Sequence, residues 1–369
     1  MRKKQTSRKG VTSKGRAIRP TAIDLFCGCG GLTQGLRDAG FHVLAAVDLD
    51  PLSIKTYQAN HTRVLTWESD IREVDPLEVA KEVGLRAGQL DLLAGCPPCQ
   101  GFSTMRTLNG KVTVDDPRND LLAEFERFVE DLLPRAIMME NVPGLASDGR
   151  FSSFVERVKA LGYKGESKIL NAVDYRVPQR RRRLIFIAGR GMEIPYAIAQ
   201  DSQRTVREVL ATLPAAGTSG DPVHDIPEKR SPRILELIRS IPKDGGSRTD
   251  LPDDRQLECH KRCDGFKDVY GRMAWDAPAP TITSGCFNPS KGRFLHPEED
   301  RAITMREAAV LQGFPVDYKF PTTENKSAIA LMVGNALPPP FITAHARSIK
   351  RALRKQEKGL PNGRGINRT

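Results

Sequence analysis

Residues 90–100, Leu-Asp-Leu-Leu-Ala-Gly-Cys-Pro-Pro-Cys-Gln, restrict the fold of this chain more than any other stretch. The apolar run ending at Gly95 has the length and bounding of a buried strand. Pro97 and Pro98 then fix φ and remove two amide donors, so neither a helix nor a ladder continues through them. A stiff loop results at the carboxyl end of a strand, with Cys99 at its tip. Open α/β sheets keep their chemistry at such ends. Cys99 has three readings: a buried structural thiol, half of a Cys-x-x-Cys redox or metal pair with Cys96, or a nucleophile. Gly101 follows and no apolar periodicity begins, which weakens the redox reading, since that motif caps a helix.

The chain has 369 residues, enough for one large domain and a smaller one, and is 39% hydrophobic, enough for a sizeable core. No run of 18 apolar residues occurs, so no membrane span is expected, and no apolar segment follows the basic N-terminus to make a secretory signal. Seven cysteines without regular spacing point to a reducing, cytoplasmic compartment. The net charge is +12. Residues 1–19 carry eight Lys/Arg and no acid, and residues 347–369 carry eight Lys/Arg and only Glu357 as an acid. These segments exceed the total charge between them, leaving the body from 20 to 346 slightly acidic. Both ends read as disordered basic tails, so any nucleic-acid footprint in the body must be local.

Thr21-Ala-Ile-Asp-Leu-Phe26 reads as a strand, Cys27-Gly-Cys-Gly-Gly31 as a break, and residues 32–39 as a helix ended by Gly40. Strand, glycine loop and helix open a nucleotide-binding α/β unit. The dinucleotide fingerprint needs a further glycine at 33, where Thr33 stands, so a nicotinamide cofactor is disfavoured. The next strand, 42–47, ends in Asp48, 20 residues after Gly28 and suited to ribose hydroxyls. Asp50-Pro51 opens a helix. Asp70 follows a third short apolar stretch. The three strand ends at Gly28–Gly31, Asp48 and Asp70 line one cleft in this reading.

A helix is expected over 121–133, apolar at 121, 122, 125, 128, 129, 132 and 133, and stopped by Pro134. The strand 136–139 runs into Glu140-Asn141-Val142. A half-buried carboxyl there, facing the Cys99 loop, is placed for acid–base work. Val177-Pro-Gln-Arg-Arg-Arg-Arg183 precedes the apolar strand 184–188. Arg181 and Arg183 alternate onto one face, which suits a phosphate or a base carbonyl; a solvated charge run is the competing reading.

In order, Asp24-Leu-Phe-Cys-Gly-Cys-Gly-Gly31, Pro97-Pro-Cys-Gln100, Glu140-Asn-Val142, Gln179-x-Arg-x-Arg183 and Gly334-Asn-Ala336 resemble the DNA (cytosine-5)-methyltransferases. The resemblance spans residues 21 to about 345. It implies a Rossmann-like α/β sheet with helices on both faces, a small target-recognition domain, S-adenosyl-L-methionine as cofactor, duplex DNA as substrate, base flipping, and a monomer with no membrane partner. A cognate restriction endonuclease acting separately on the same site is the partner implied by the restriction–modification type. Cys99 would add to C6 of cytosine, Glu140 would bond to and protonate N3, and Arg183 with Arg181 would hold the O2 side. By the same carry-over Phe26 stacks on adenine, Gly28 and Gly30 line the methionine end, Asp48 binds the ribose, Asp70 and Ile71 border the adenine, and Asn335 closes the cofactor side. Gly31, Leu32, Leu49, Pro98 and Leu121 complete the cofactor set. Leu49 stands where many members carry an aromatic. Cys27 and Cys29 read as small apolar fillers, and no disulfide joins Cys96 to Cys99 in this reading. Gln100, Ser103, Arg118 and Arg180 are assigned to the DNA.

Residues 191–268 are rich in Pro, Gly and charge and have little periodicity. Through the resemblance they become the variable part of a recognition domain spanning 191–324, set into a catalytic domain of 20–190 and 325–346. Lys229, Arg230, Arg233 and Arg239 are its candidate phosphate contacts. Cys259-His260-x-x-Cys263 lacks a second pair at zinc-finger spacing, so no metal is expected. Thr304 and Glu307 form a capping box, and a last helix starts near 338–340. A transfer RNA methyltransferase of the same chemistry and a catalytically silent DNA-binding regulator are the alternative readings.

Overall fold

The computed structural model describes residues 19–98, 121–252, 268–321 and 326–359. Seven strands form one sheet in the order β3-β2-β1-β4-β5-β7-β6. These are β1 (Thr21–Leu25), β2 (His42–Asp48), β3 (Leu65–Glu68), β4 (Leu92–Gly95), β5 (Ala136–Asn141), β6 (Tyr163–Asn171) and β7 (Arg182–Arg190). Strands β1 to β5 are parallel, and β7 runs antiparallel to both β5 and β6. Helices α1 (Gly31–Asp38), α2 (Pro51–Asn60) and α3 (Pro76–Glu82) link the first strands, while α4 (Leu121–Leu132) and α5 (Gly149–Ala160) flank β5.

Alternation along the strands builds a core on each face. Ile23, Leu25, Ile137, Met139, Leu184 and Phe186 face α4 and α5 through Phe125, Phe128 and Phe154. Ala22, Ala136, Met138, Ile185 and Ile187 face the other way, against Leu36 of α1 and Phe341, Ile342 and Ile349 of the last helix. Pro134 drives the residue before it out of the helical region: Leu133 sits at φ 43° and α4 stops at Leu132.

The segment after β7 contributes α6 (Arg207–Leu210), α7 (Pro232–Ser240) and turns, and no described residue of it joins the sheet. Its own core gathers Val206, Leu210, Val223, Met273 and Ile303 with α8 (Met305–Leu311) and α9 (Lys326–Asn335). The Thr304–Glu307 capping box forms in both directions. Fully buried Arg272 donates to the carbonyls of Ile241, Ile238, His296 and Glu299 and pairs with Asp300 at 2.6 Å.

Helix α10 (Pro339–Gly359) corrects the expectation of a disordered basic tail from 347. Ile349 and Leu353, four residues apart, are buried, and Arg135 donates to Leu353 O at 3.1 Å and to Gln356 at 3.0 Å. The cations around them hid an apolar stripe. The stretch Lys326–Lys358 has the length and composition to cross a membrane, but most of it is buried in the molecule.

Candidate active site

The carboxyl ends of β1, β2, β4 and β5 form one edge of the sheet, and the start of antiparallel β7 reaches the same edge. In the β5–β7 ladder Glu140 lies opposite Ile185 and Asn141 opposite Leu184, so Arg183 arrives beside Glu140.

The glycine loop after β1 is tied down on every side. Phe26 (φ 58°), Gly28 (φ 51°) and Gly30 (φ 98°) all lie in the left-handed region, which glycine tolerates and phenylalanine rarely adopts. Gly28 N donates to Asp48 Oδ2 at 2.8 Å, and Asp50 N donates to Asp48 Oδ1 at 2.9 Å. Desolvation raises the Asp48 carboxyl above its usual range, against these donors. Below the loop, buried Asp24 accepts from Thr33 Oγ1 at 2.6 Å, and Thr33 Oγ1 lies 2.8 Å from Tyr57 Oη. Thr33, which broke the dinucleotide pattern, thus ties helix α1 to β1. Asp24 Oδ1 is buried without a hydrogen-bond partner, and burial pushes this carboxyl up to about 7. Cys27 and Cys29 are buried, and burial pushes the Cys29 thiol up to about 12.

Glu140 is 9% exposed. Arg183 Nε lies 2.8 Å from its Oε1, and the Cys96 thiol of the β4 loop lies close enough to interact with it. Burial raises the Glu140 carboxyl; Arg183 first and Arg181 second pull it back, and burial prevails. The same carboxylate and burial hold the Cys96 thiol well above the ordinary thiol range. Asn141 Nδ2 donates to Pro97 O at 3.0 Å, and its Oδ1 accepts from Val142 N at 2.8 Å. A buried acid held above the ordinary carboxylate range beside a guanidinium, with the Cys96 loop pinned to the same strand end, is equipped to hold and deliver a proton.

Residues 21–351 match the family of C-5 cytosine-specific DNA methylases. The chain belongs to that family. The methylase is 39% identical over 348 residues to the Type II methylase M.HgiDII of Herpetosiphon aurantiacus, covering 90% of this chain and 95% of that protein. It is 31% identical to the Type II methyltransferase M.AgeI of Thalassovita gelatinovora, covering 90% and 99%. A putative DNA modification methyltransferase encoded within an E. coli prophage superposes with a TM-score of 0.69 at 25% identity, covering 91% of this chain and 99% of that one. The fold is that of the S-adenosylmethionine-dependent C5 methyltransferases.

Several expectations for the methylase change in detail. Arg181 is buried, and its two terminal nitrogens donate to Ile282 O and Gly334 O, each at 3.0 Å. It braces Ile282, in the segment between β7 and α8, against α9, and its own burial with Arg183 nearby lowers it to about 9. Those are the contacts of a strut, which leaves Arg183 as the guanidinium at Glu140. Gln179 is likewise internal, bonded to Gln312 at 2.6 Å and to Ile282 N at 2.9 Å. Arg230 pairs with Glu228 at 2.6 Å and donates to Phe287 O at 2.7 Å, so its guanidinium holds the fold rather than waiting for phosphate. Lys229, Arg233, Arg239 and Arg180 are exposed. Leu32 is buried in the core cluster on the α1 face of the sheet.

On the cofactor side, Asp70 accepts from Arg72 N at 3.1 Å and caps the turn that begins with buried Ile71. Leu49 (64% exposed) is open to solvent, Pro98 and Asn335 are exposed, and Leu121 is buried at the start of α4. Gly31 has no room for a Cβ beside Leu337 O. Cys99, Gln100, Ser103, Arg118, Cys259, His260 and Cys263 lie outside the described residues. Sequence reasoning gave Asn141 no role and read Cys96 only as half of a Cys-x-x-Cys pair. Asn141 lies within the Glu140-Asn-Val142 motif and Cys96 next to Pro97-Pro-Cys-Gln100, and those positions were the signals available for them.

Proposed function

We propose that this methylase transfers a methyl group from S-adenosyl-L-methionine to C5 of a cytosine within a specific duplex DNA sequence, as the modification enzyme of a Type II restriction–modification system. The observation that carries the reading is Glu140, buried and held by Arg183 at 2.8 Å, on the strand end whose next residue pins the loop leading to Cys99.

The residues at the first strand end suit the cofactor. Asp24 Oδ1 is a buried acceptor without a donor, as an incoming ammonium group would require. Space above Gly28 is open, with nothing within 4 Å of an added Cβ, so a ligand can approach the backbone. Asp48 offers its remaining lone pairs to ribose hydroxyls, and Phe26 and Leu49 offer apolar surface to the base. When bound, the cofactor supplies an electrophilic methyl group.

Cys99 forms a bond from its sulfur to C6 of the target ring. Glu140 donates its proton to N3 as charge develops there, and Arg183 holds the O2 side. Electron density then gathers at C5, which takes the methyl group. A base removes the C5 proton, the Cys99–C6 bond breaks to release the thiolate, and N3 returns its proton to Glu140, which restores the ring. Attack at C6 requires the cytosine to leave the base stack. Residues 191–324 form the recognition domain in this reading, Lys229, Arg233 and Arg180 meeting phosphates, while 20–190 with 325–359 form the catalytic domain. The free thiols of Cys27, Cys29, Cys96 and Cys286 suit a reducing interior.

Duplex DNA in which 5-fluorocytosine replaces cytosine at random tests the reading. The fluorine blocks proton removal from C5, so a denaturant-stable protein–DNA adduct should accumulate with S-adenosylmethionine, and Cys99→Ser should abolish it. Sequencing the trapped DNA would give the target. No adduct on DNA from a protein that binds the cofactor would overturn the DNA assignment, and the same trap on transfer RNA would then be informative.

A further inference from the structure

The carbonyls of Cys29 and Gly30 meet two side chains no motif singled out. Tyr318 Oη donates to Cys29 O at 2.6 Å. His61 Nε2 lies 3.0 Å from Tyr318 Oη and 3.3 Å from Gly30 O. Arg37 donates to His61 Nδ1 at 2.7 Å. A guanidinium has no acceptor, so Nδ1 is unprotonated and the hydrogen sits on Nε2. Tyr318 has already given its proton to Cys29 O and therefore accepts from His61. The relay has one direction: Arg37 to His61, His61 to Tyr318, Tyr318 to the loop. Burial, with the Arg37 charge, lowers His61 to about 4, so the ring stays neutral and the relay intact at neutral pH.

The fit is tight as well as directional. A Cβ on Gly30 would stand 2.6 Å from His61 Nε2 and 2.7 Å from Tyr318 Oη. His61 is backed by the edge of Tyr57 at 4.7 Å, and Tyr57 meets Thr33 on the far side of the loop. Tyr318 is packed against Phe314 and Phe320, and Arg306 holds its carbonyl at 2.8 Å while pairing with Asp221 at 2.5 Å.

We propose that His61 and Tyr318 are positioning residues for the cofactor, a post that fixes the Cys29–Gly30 backbone so that the open face of the loop is preformed before ligand arrives. The inference rests on the cofactor reading above. It concerns the affinity of the loop, not the chemistry at Glu140, and so predicts a split between binding and turnover. A preformed site binds more tightly because no ordering is needed on association.

The test is the dissociation constant for S-adenosylmethionine, measured on the full chain without DNA, beside kcat at saturating cofactor. Tyr318→Phe removes one hydroxyl and keeps the ring. It should weaken cofactor binding by roughly tenfold, the worth of one well-placed hydrogen bond, with kcat within about twofold. His61→Phe should do the same, and His61→Gln, which restores an N–H donor, should recover most of the affinity. If Tyr318→Phe does not fold, the His61 pair decides alone. A purely structural role would lower the melting temperature and leave the dissociation constant unchanged, and that result overturns the inference. A wild-type chain that takes up no S-adenosylmethionine would overturn the cofactor reading and this inference together, whereas equal affinity in wild type and variants overturns this inference alone.

Discussion

Asn141 Nδ2 donates to Pro97 O at 3.0 Å, across the junction of β4 and β5. Both residues are buried, and the bond joins the strand end that carries Glu140 to the loop that leads to Cys99. Asn141→Ala removes it and leaves a buried carbonyl unpaired, a loss of about 1–3 kcal/mol. The trapped adduct should form at least ~10-fold more slowly, with affinity for S-adenosylmethionine retained. Adduct formation at the wild-type rate would mean the loop holds its place without this bond.

Glu140→Gln keeps size and hydrogen bonding but removes the proton. Cofactor binding should survive while methyl transfer slows by ~10²-fold or more. Undiminished turnover would remove Glu140 from the acid role.

Asp24 ties stability to pH. Its carboxyl rises from 3.8 to about 7 on folding, so the folded chain holds this proton more tightly than the unfolded one. The contribution is complete below the unfolded value and is lost as pH climbs through the folded value. Asp24→Asn has no proton to lose. In urea melts without cofactor, the stability of wild type relative to Asp24→Asn should fall by on the order of 4 kcal/mol from about pH 4 to pH 8. A difference that stays flat with pH would contradict the raised carboxyl.

Arg272 tests the proposed DNA-reading role of the segment between β7 and α8. Arg272→Lys cannot reach four carbonyls and Asp300 at once, and unpaired buried acceptors cost about 1–3 kcal/mol apiece. DNA retention on filters should fall further than affinity for S-adenosylmethionine, because the glycine loop that would hold the cofactor is built on β1 and α1. Loss of both together would show that the two parts unfold as one.

The strands that carry the site were legible because each is a short apolar run stopped by a residue with a distinct job: Gly28, Asp48, Pro97, Glu140. Strand β6 was not, since Lys164, Glu166 and Lys168 break its pattern at an edge where only one neighbour pairs with it. The extent of α10 was hidden by its cations. Arg181 and Arg183 read alike in sequence, and only the backbone of Ile282 and Gly334, more than a hundred residues away, assigns them different work. Tyr318 was invisible for the same reason, since its partner Cys29 lies 289 positions earlier.

Helix α10 lies on α1 where Gly35 has no side chain, with Thr343 Oγ1 bonded to Gly35 O at 3.1 Å and Lys350 Nζ to Ala39 O at 2.8 Å. Among the described elements, the first helix is therefore seated by the last. A nascent or prematurely terminated chain holds every motif residue through Asn335 and still lacks the support under its glycine loop. A chain cut before α10 should therefore lose its glycine loop as a unit rather than in proportion to the residues removed.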